Sequence, residues 1–231
     1  MDGDLQKYMS ERYKKTLVPK QTEPGPVITI SRLVGCPAKK IAQRVCELLN
    51  EMRVSKGKEP LWKWISKELL YESAKELNID PVNIEYVFNY ESRGMFGDIL
   101  QSHASKYYKS DRRIKKTIAE VIMALASKGH VIIIGRGGVA ITRDMERSFH
   151  IHLEAPIEWR EIMVSQKFNL NMEEARKYAL EIDKKRQEFR EFFQGKKDDY
   201  SLYDLKLNCM TLSVEETSQI IAKAIELRNL Y

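Results

Sequence analysis

Two short glycine-bearing loops hold residue types that grip phosphate. The first, residues 31–40, reads SRLVGCPAKK and carries Ser31, Arg32, Gly35, Cys36, Lys39 and Lys40; the second, residues 135–138, reads GRGG and carries Arg136. Glycine lets backbone approach a ligand closely, and a guanidinium presents a planar fork of donors matched to phosphate oxygens. Arg136 follows directly on an apolar run, a place that packing explains poorly, so phosphate contact is the better reading of it. A third set lies further along: Arg186 and Arg190 stand at i and i+4 in a charged segment and so share a helix face. Both guanidinium groups can therefore meet the same anion. The alternative for that segment is a solvated surface helix laced with ion pairs.

These residues need elements to hold them. The run VITIS at 27–31 reads as a strand, and after the loop Ile41, Val45, Leu48 and Leu49 recur at helical spacing. A strand that turns into a helix places free N–H groups and the positive end of a helix dipole at the turn, which is an anion site. The loop departs from the GxxxxGK[S/T] phosphate motif, which needs a second glycine, a lysine and a hydroxyl, since it reads Pro37, Ala38 and Lys40 instead. Pro37 also removes one N–H donor and fixes φ. Without that hydroxyl, and with no aspartate after the run at 131–135, neither standard magnesium ligand is visible, and no protein metal site is predicted.

The pattern at 111–129 puts Ile114, Ile118, Val121, Ile122 and Leu125 on one helix face, with Gly129 as its stop. VIIIG at 131–135 is a continuous apolar run, as in a strand covered on both faces of a parallel sheet. FHIHL at 149–153 reads as another strand, with His150 and His152 as ordinary packing or edge residues. Helices are predicted over 156–167 and 171–193, a last strand over 204–209, and a closing helix that Ser213 caps. Strands that alternate with helices imply a parallel sheet with helices on both faces. Ligands in such sheets bind beyond the carboxyl ends of the strands, where both glycine loops fall. Residues 60–110, rich in aromatics at helical spacing, read as a helical insertion, and residues 1–26 as a peripheral arm.

Composition narrows the class. The chain has 231 residues, 43% hydrophobic and 31% charged, which suits one domain with an insertion. No apolar run approaches the ~20 residues of a membrane helix, so no membrane partner is predicted. The net charge of +6 is spread along the chain with no nucleic-acid-binding signature, so phosphorylated small ligands rank above nucleic acid. Cys36, Cys46 and Cys209 suit neither a disulfide framework nor a zinc site, which points to a reducing cytoplasm. Cys46 reads as a packed thiol. A homodimer is compatible with this composition.

Taken in order, VITISRLVGCPAKKIA, VIIIGRGGVAITRD, HIHLEAPIEWR, EEARKYALEIDKKRQEF and YDLKLNCMTLSVEET resemble the cytidylate kinase-like family, a branch of the nucleoside monophosphate kinases, over about residues 27–227. The resemblance implies a three-layer αβα fold of the P-loop NTPase type, with a central parallel sheet, the substrate-side insertion at about 60–110 and a helical lid at about 171–200, all in one domain at 27–231. It implies transfer of a phosphoryl group from ATP, with magnesium carried mainly by the nucleotide and steadied by Ser31, to a nucleoside monophosphate or related acceptor. Ser31, Arg32, Gly35, Cys36, Lys39 and Lys40 would then hold donor phosphates. Arg136, with Arg113 as a looser match, would meet the acceptor, and Arg186 and Arg190 would join Arg32 in catalysis. The family's loop pattern ISRxxGSGGxxIA is kept at Ile30, Ser31, Arg32, Gly35, Ile41 and Ala42 and lost at Cys36, Pro37 and Ala38. Glu72 stands where cytidylate kinases place an arginine, so cytidine specificity does not follow. The competing reading is a catalytically degraded nucleotide binder that acts as a sensor or partner-binding module.

Overall fold

A computed structural model describes residues 25–65, 108–195 and 199–231; side chains at 108–114, 199 and 200 are not described. Among the described residues the elements are β1 (Val27–Arg32), α1 (Ala38–Val54), β2 (Lys63–Ile65), α2 (Tyr108–Lys128), β3 (Val131–Ile134), α3 (Gly138–Thr142), β4 (Ser148–Glu154), α4 (Ile157–Phe168), α5 (Met172–Gln194), β5 (Leu205–Asn208) and α6 (Val214–Leu227). The five strands form one sheet in the order β2-β3-β1-β4-β5, and every pairing is parallel. This is the predicted α/β architecture. Residues 1–24 of the expected arm at 1–26, and the part of the expected insertion at 66–107, lie outside the described residues.

β1 is central because both of its faces are apolar. Ile28 and Ile30 join α1 and α6 in one core with Val45, Leu49, Ile132, Ile151, Ile221 and Ile225. Val27 packs to the other side with Ile118, Val121, Ile122 and Ile133. The run VIII of β3 is buried throughout, as a strand covered on two faces requires. β2 was not legible as a strand. Its three residues are too few to show an alternation, and it is held instead by tertiary bonds: Trp62 N–H donates to Asn50 Oδ1 (2.6 Å) and Asn50 Nδ2 donates to Trp62 O (3.1 Å). The first part of the expected insertion therefore belongs to the sheet edge.

Both long C-terminal helices begin with capping boxes, Asn171 with Glu174 on α5 and Ser213 with Glu216 on α6. Ser213→Ala is expected to lower the unfolding free energy by about 1 kcal/mol in urea denaturation, with the slope of the transition unchanged.

His150 is buried packing, as expected from the strand pattern. Its Nδ1 is hydrogen-bonded to Thr29 Oγ1 (2.7 Å), and its N–H donates to Asp204 Oδ2 (2.7 Å). Burial lowers its pKa from 6.5 to about 4, against an opposing pull from Asp204. The unfolded chain therefore binds the proton first as pH falls. The neutral ring contributes its full stability above about pH 6.5 and loses it progressively toward pH 4, by on the order of 2–3 kcal/mol. His150→Gln should flatten the pH dependence of stability across that window, as read from denaturation midpoints between pH 4 and 7.

No described helix is long and apolar enough to cross a membrane.

Candidate functional site

The chain passes from β1 through β2 and β3 on one side and then crosses to β4 on the other, so the sheet order reverses at β1. A crevice opens at the carboxyl ends of strands at such a point. The two glycine loops hang from it: Gly135 N–H donates to Ile30 O (2.9 Å), and Leu33 N–H donates to Leu153 O (2.9 Å).

The first loop runs into α1 with Pro37 as N-cap and no side-chain cap. Gly35 has φ +95°, and a Cβ there would lie 3.1 Å from Arg160 Cα, so close packing on α4 and backbone conformation both demand glycine. Lys39 and Lys40 are exposed. Lys39 Nζ lies 5.5 Å from the Trp64 ring centroid, toward the β2 edge.

The second loop is unusual. Gly135, Arg136 and Gly137 have φ of +68°, +56° and +69°, three successive residues in the left-handed region. For arginine that conformation costs about 1–2 kcal/mol. The glycines are fixed by their neighbours: a Cβ on Gly135 would overlap Arg32 Nη1, and one on Gly137 would meet Phe193 Cδ2 at 3.0 Å. Gly135→Ala is expected to cost about 1–2 kcal/mol in stability and to push Arg32 aside, with the loss of ligand affinity measurable by titration.

Arg32 thus crosses from β1 onto the second loop. The cleft there is lined by Ser31 and Arg32 from β1, Gly135, Arg136 and Gly137, Lys115 from α2, and the α5 face of Ile182, Lys185, Arg186, Glu188, Phe189 and Arg190. Among the described residues the lining holds six cationic side chains and one carboxylate, a set that suits an anionic ligand.

A buried ion pair docks α5 on this cleft. Arg160, 5% exposed, donates from Nε to Ala155 O (3.0 Å) and from Nη1 to Val34 O (3.3 Å) and Asp183 Oδ2 (2.6 Å). Asp183 Oδ1 accepts the Val34 N–H (2.8 Å). Arg186 Nη1 reaches Arg32 O (3.4 Å) and lies 3.7 Å from Asp183 Oδ1. Below this network Ile182, Ala175 and Ala179 bury against Val34 and Val164, and Phe193 packs against Ala119 and Ala140. The helix read as a lid therefore lies across the cleft, with Arg186 and Arg190 in its lining.

Of the residues singled out from sequence, Ser31, Arg32, Arg136, Arg186 and Arg190 come together in the cleft. Gly35 and Cys36 lie in the adjoining loop, while Lys39 and Lys40 are outside the cleft lining. Arg113 belongs to α2, but its side chain lies outside the described residues. Lys115, Lys185, Arg160 and Asp183 were missed. Lys185 is adjacent to Arg186 and was within reach of sequence reasoning; the other three depend on contacts between distant elements. Among the described residues no cluster of three or more His, Cys, Asp or Glu gathers as a metal site. The oxygen-bearing side chains lining the cleft are Ser31 and Glu188.

Comparison with known proteins bears on the chain as a whole. The model of the cytidylate kinase-like family matches residues 27–211. The chain belongs to that family. It is 25% identical over 203 residues to a cytidylate kinase of Methanocaldococcus jannaschii, covering 87% of this chain and 97% of the relative. It is 25% identical over 209 residues to a cytidylate kinase of Methanopyrus kandleri, covering 87% and 93%. In three dimensions it is similar to an uncharacterized protein from Eubacterium ventriosum, with a TM-score of 0.60 and 20% identity over 88% of this chain and 99% of that one, a likeness of fold. Pro37 at the N-cap of α1 contributes no N–H to the loop.

Proposed function

We propose that the protein is an ATP-dependent phosphotransferase that moves a phosphoryl group to a nucleoside monophosphate or a related phosphorylated acceptor. The observation that carries this is the single cleft in which Arg32, Arg136, Arg186 and Arg190 converge on the strained Gly135–Gly137 turn. Phosphoryl transfer needs little covalent help from a protein and depends on alignment and charge stabilisation. An oxygen of the acceptor phosphate displaces ADP from the γ-phosphorus, and the products are ADP and a diphosphorylated acceptor. Arg136 grips the acceptor phosphate. Arg32, anchored across Gly135, sits between the acceptor loop and β1, and the α5 pair Arg186 and Arg190 meets the charge that spreads over the transferring oxygens. Magnesium carried by the nucleotide would neutralise phosphate charge, and Ser31, on the β1 side of the cleft, is the hydroxyl that would steady it. The apolar packing of Phe189 and Phe193 under the α5 side keeps water from competing as acceptor.

A second reading, a nucleotide binder without turnover, is favoured by one observation: Pro37 caps α1 and offers no N–H to the phosphates. A screen of each nucleoside monophosphate with ATP and magnesium, coupled to ADP release, separates the two. Turnover with at least one acceptor supports the phosphotransferase. An ATP-induced rise in melting temperature with no ADP release from any acceptor establishes the binder instead.

A further inference from the structure

The first glycine loop carries a thiol whose redox chemistry the phosphotransferase reading does not use. Cys36 is half-buried beside Gly35, and Cys209 is 6% exposed just beyond β5. Both segments are tied to the same end of β4: Leu33 N–H donates to Leu153 O (2.9 Å), and Cys209 N–H donates to Glu154 O (2.8 Å). Successive carbonyls of one strand therefore bring together two cysteines far apart in sequence. Cys36 packs against the core cluster that contains Cys209, and the two thiols share a hydrogen bond. Cys46 has a different environment, with its Sγ against Trp62 O (3.2 Å) on the far part of α1.

We propose that Cys36 and Cys209 form an oxidisable pair, a disulfide site that ties the phosphate loop to the end of β5 and disables it for nucleotide. The chemistry needs only hydrogen peroxide as oxidant. A thiolate of the pair attacks one peroxide oxygen, the O–O bond breaks and a sulfenic acid forms with release of hydroxide. The second thiol attacks the sulfenic sulfur, the S–S bond forms and the S–O bond breaks, and its proton leaves with the departing hydroxide as water. In sum two thiols and one peroxide give one disulfide and two waters. The thiolate is available within the pair because the S–H of Cys36 donates to Cys209 and holds the Cys209 thiol below the ordinary cysteine range; the same contact, with burial, pushes Cys36 up. A partly exposed pair that opens and closes with the redox state is the kind of disulfide that a reducing compartment tolerates.

The loss of nucleotide binding rests on the phosphotransferase reading; the disulfide does not. The test treats the full-length protein with hydrogen peroxide, denatures it and counts thiols by maleimide mass tagging, before and after dithiothreitol. The chain has three cysteines. The expected result is a fall from three tags to one, reversed by the reductant, with the tryptic peptides 33–39 and 207–223 linked. In parallel, the ATP-induced melting shift should vanish on oxidation of the native chain and survive the same oxidation in Cys209→Ser. Three persistent tags, or a linkage that includes Cys46, overturns the pair. A confirmed linkage with an unchanged ATP shift overturns its control of the loop. No ATP shift in the reduced protein contradicts the nucleotide reading, and the thiol count still decides the pair.

Discussion

Asp183→Ala is expected to lower the unfolding free energy by about 3–5 kcal/mol, the cost of leaving a buried charge without its partner. Arg160 is 5% exposed and reaches Asp183 Oδ2 at 2.6 Å, so the substitution strands a guanidinium with only two backbone carbonyls. It also orphans the Val34 N–H, which Asp183 Oδ1 accepts at 2.8 Å. Asp183→Asn keeps the shape and an acceptor and should cost less. The double change Asp183→Leu with Arg160→Met should recover part of the loss, because an apolar pair of similar volume carries no desolvation penalty. Chemical denaturation of the four proteins reads all three statements. An Asp183→Ala protein as stable as the parent would show that α5 is held by its apolar face alone. Activity should suffer in the double variant even where stability returns, because Arg186 loses the neighbour that lies 3.7 Å from it and steers it to Arg32 O.

Arg136→Gly should separate function from stability. Arg136 sits at φ +56°, a conformation that glycine adopts at little cost, so the fold should be unchanged or more stable by up to about 1 kcal/mol. Phosphoryl transfer should fall by about 10²- to 10³-fold, the usual effect of deleting one preorganised donor at a developing charge. If Arg136 holds the ground-state acceptor and the transition state equally, the loss appears as a raised KM for the acceptor; if it grips only the transferring state, it appears in kcat. Steady-state kinetics over both substrates tells these apart, and a drop in melting temperature with unaltered kinetics would reduce Arg136 to a structural residue. A protein that keeps an arginine in the left-handed region between two glycines has accepted local strain, and the cleft of cations in front of it supplies the reason.

What could be read from sequence follows from range. β1 and β3 were legible because each is a short apolar run bounded by turn residues, and α6 because Ser213 and Glu216 announce a capped start within four residues of chain. Arg136 was legible because its oddity is local, a charged side chain on a glycine turn at the end of a buried strand. Arg186 and Arg190 share a face by helical period alone. By contrast, Arg160 and Asp183 look like ordinary members of charged helices; their meaning comes from meeting across α4, α5 and the loop. Lys115 reaches the cleft from α2, with its ammonium 4.7 Å from the Phe192 ring, a contact no periodicity encodes. Lys39 and Lys40 were legible as neighbours of the loop but not in their exposure. They follow the loop as a phosphate-binding lysine would, yet the helical turn they begin carries them to the exposed side. The segments of Cys36 and Cys209 are tied to successive carbonyls of β4, a relation no local pattern encodes.

The most direct measurement follows backbone amide resonances while the protein is titrated with a bisubstrate compound, in which adenosine and a second nucleoside are joined through a chain of phosphates. One cleft that serves both donor and acceptor phosphates predicts one-to-one binding that weakens with salt, with shifts concentrated at residues 31–38, 135–138 and 182–190. Shifts that fall elsewhere on the molecule, or two independent binding events that leave residues 135–138 unmoved, would contradict it.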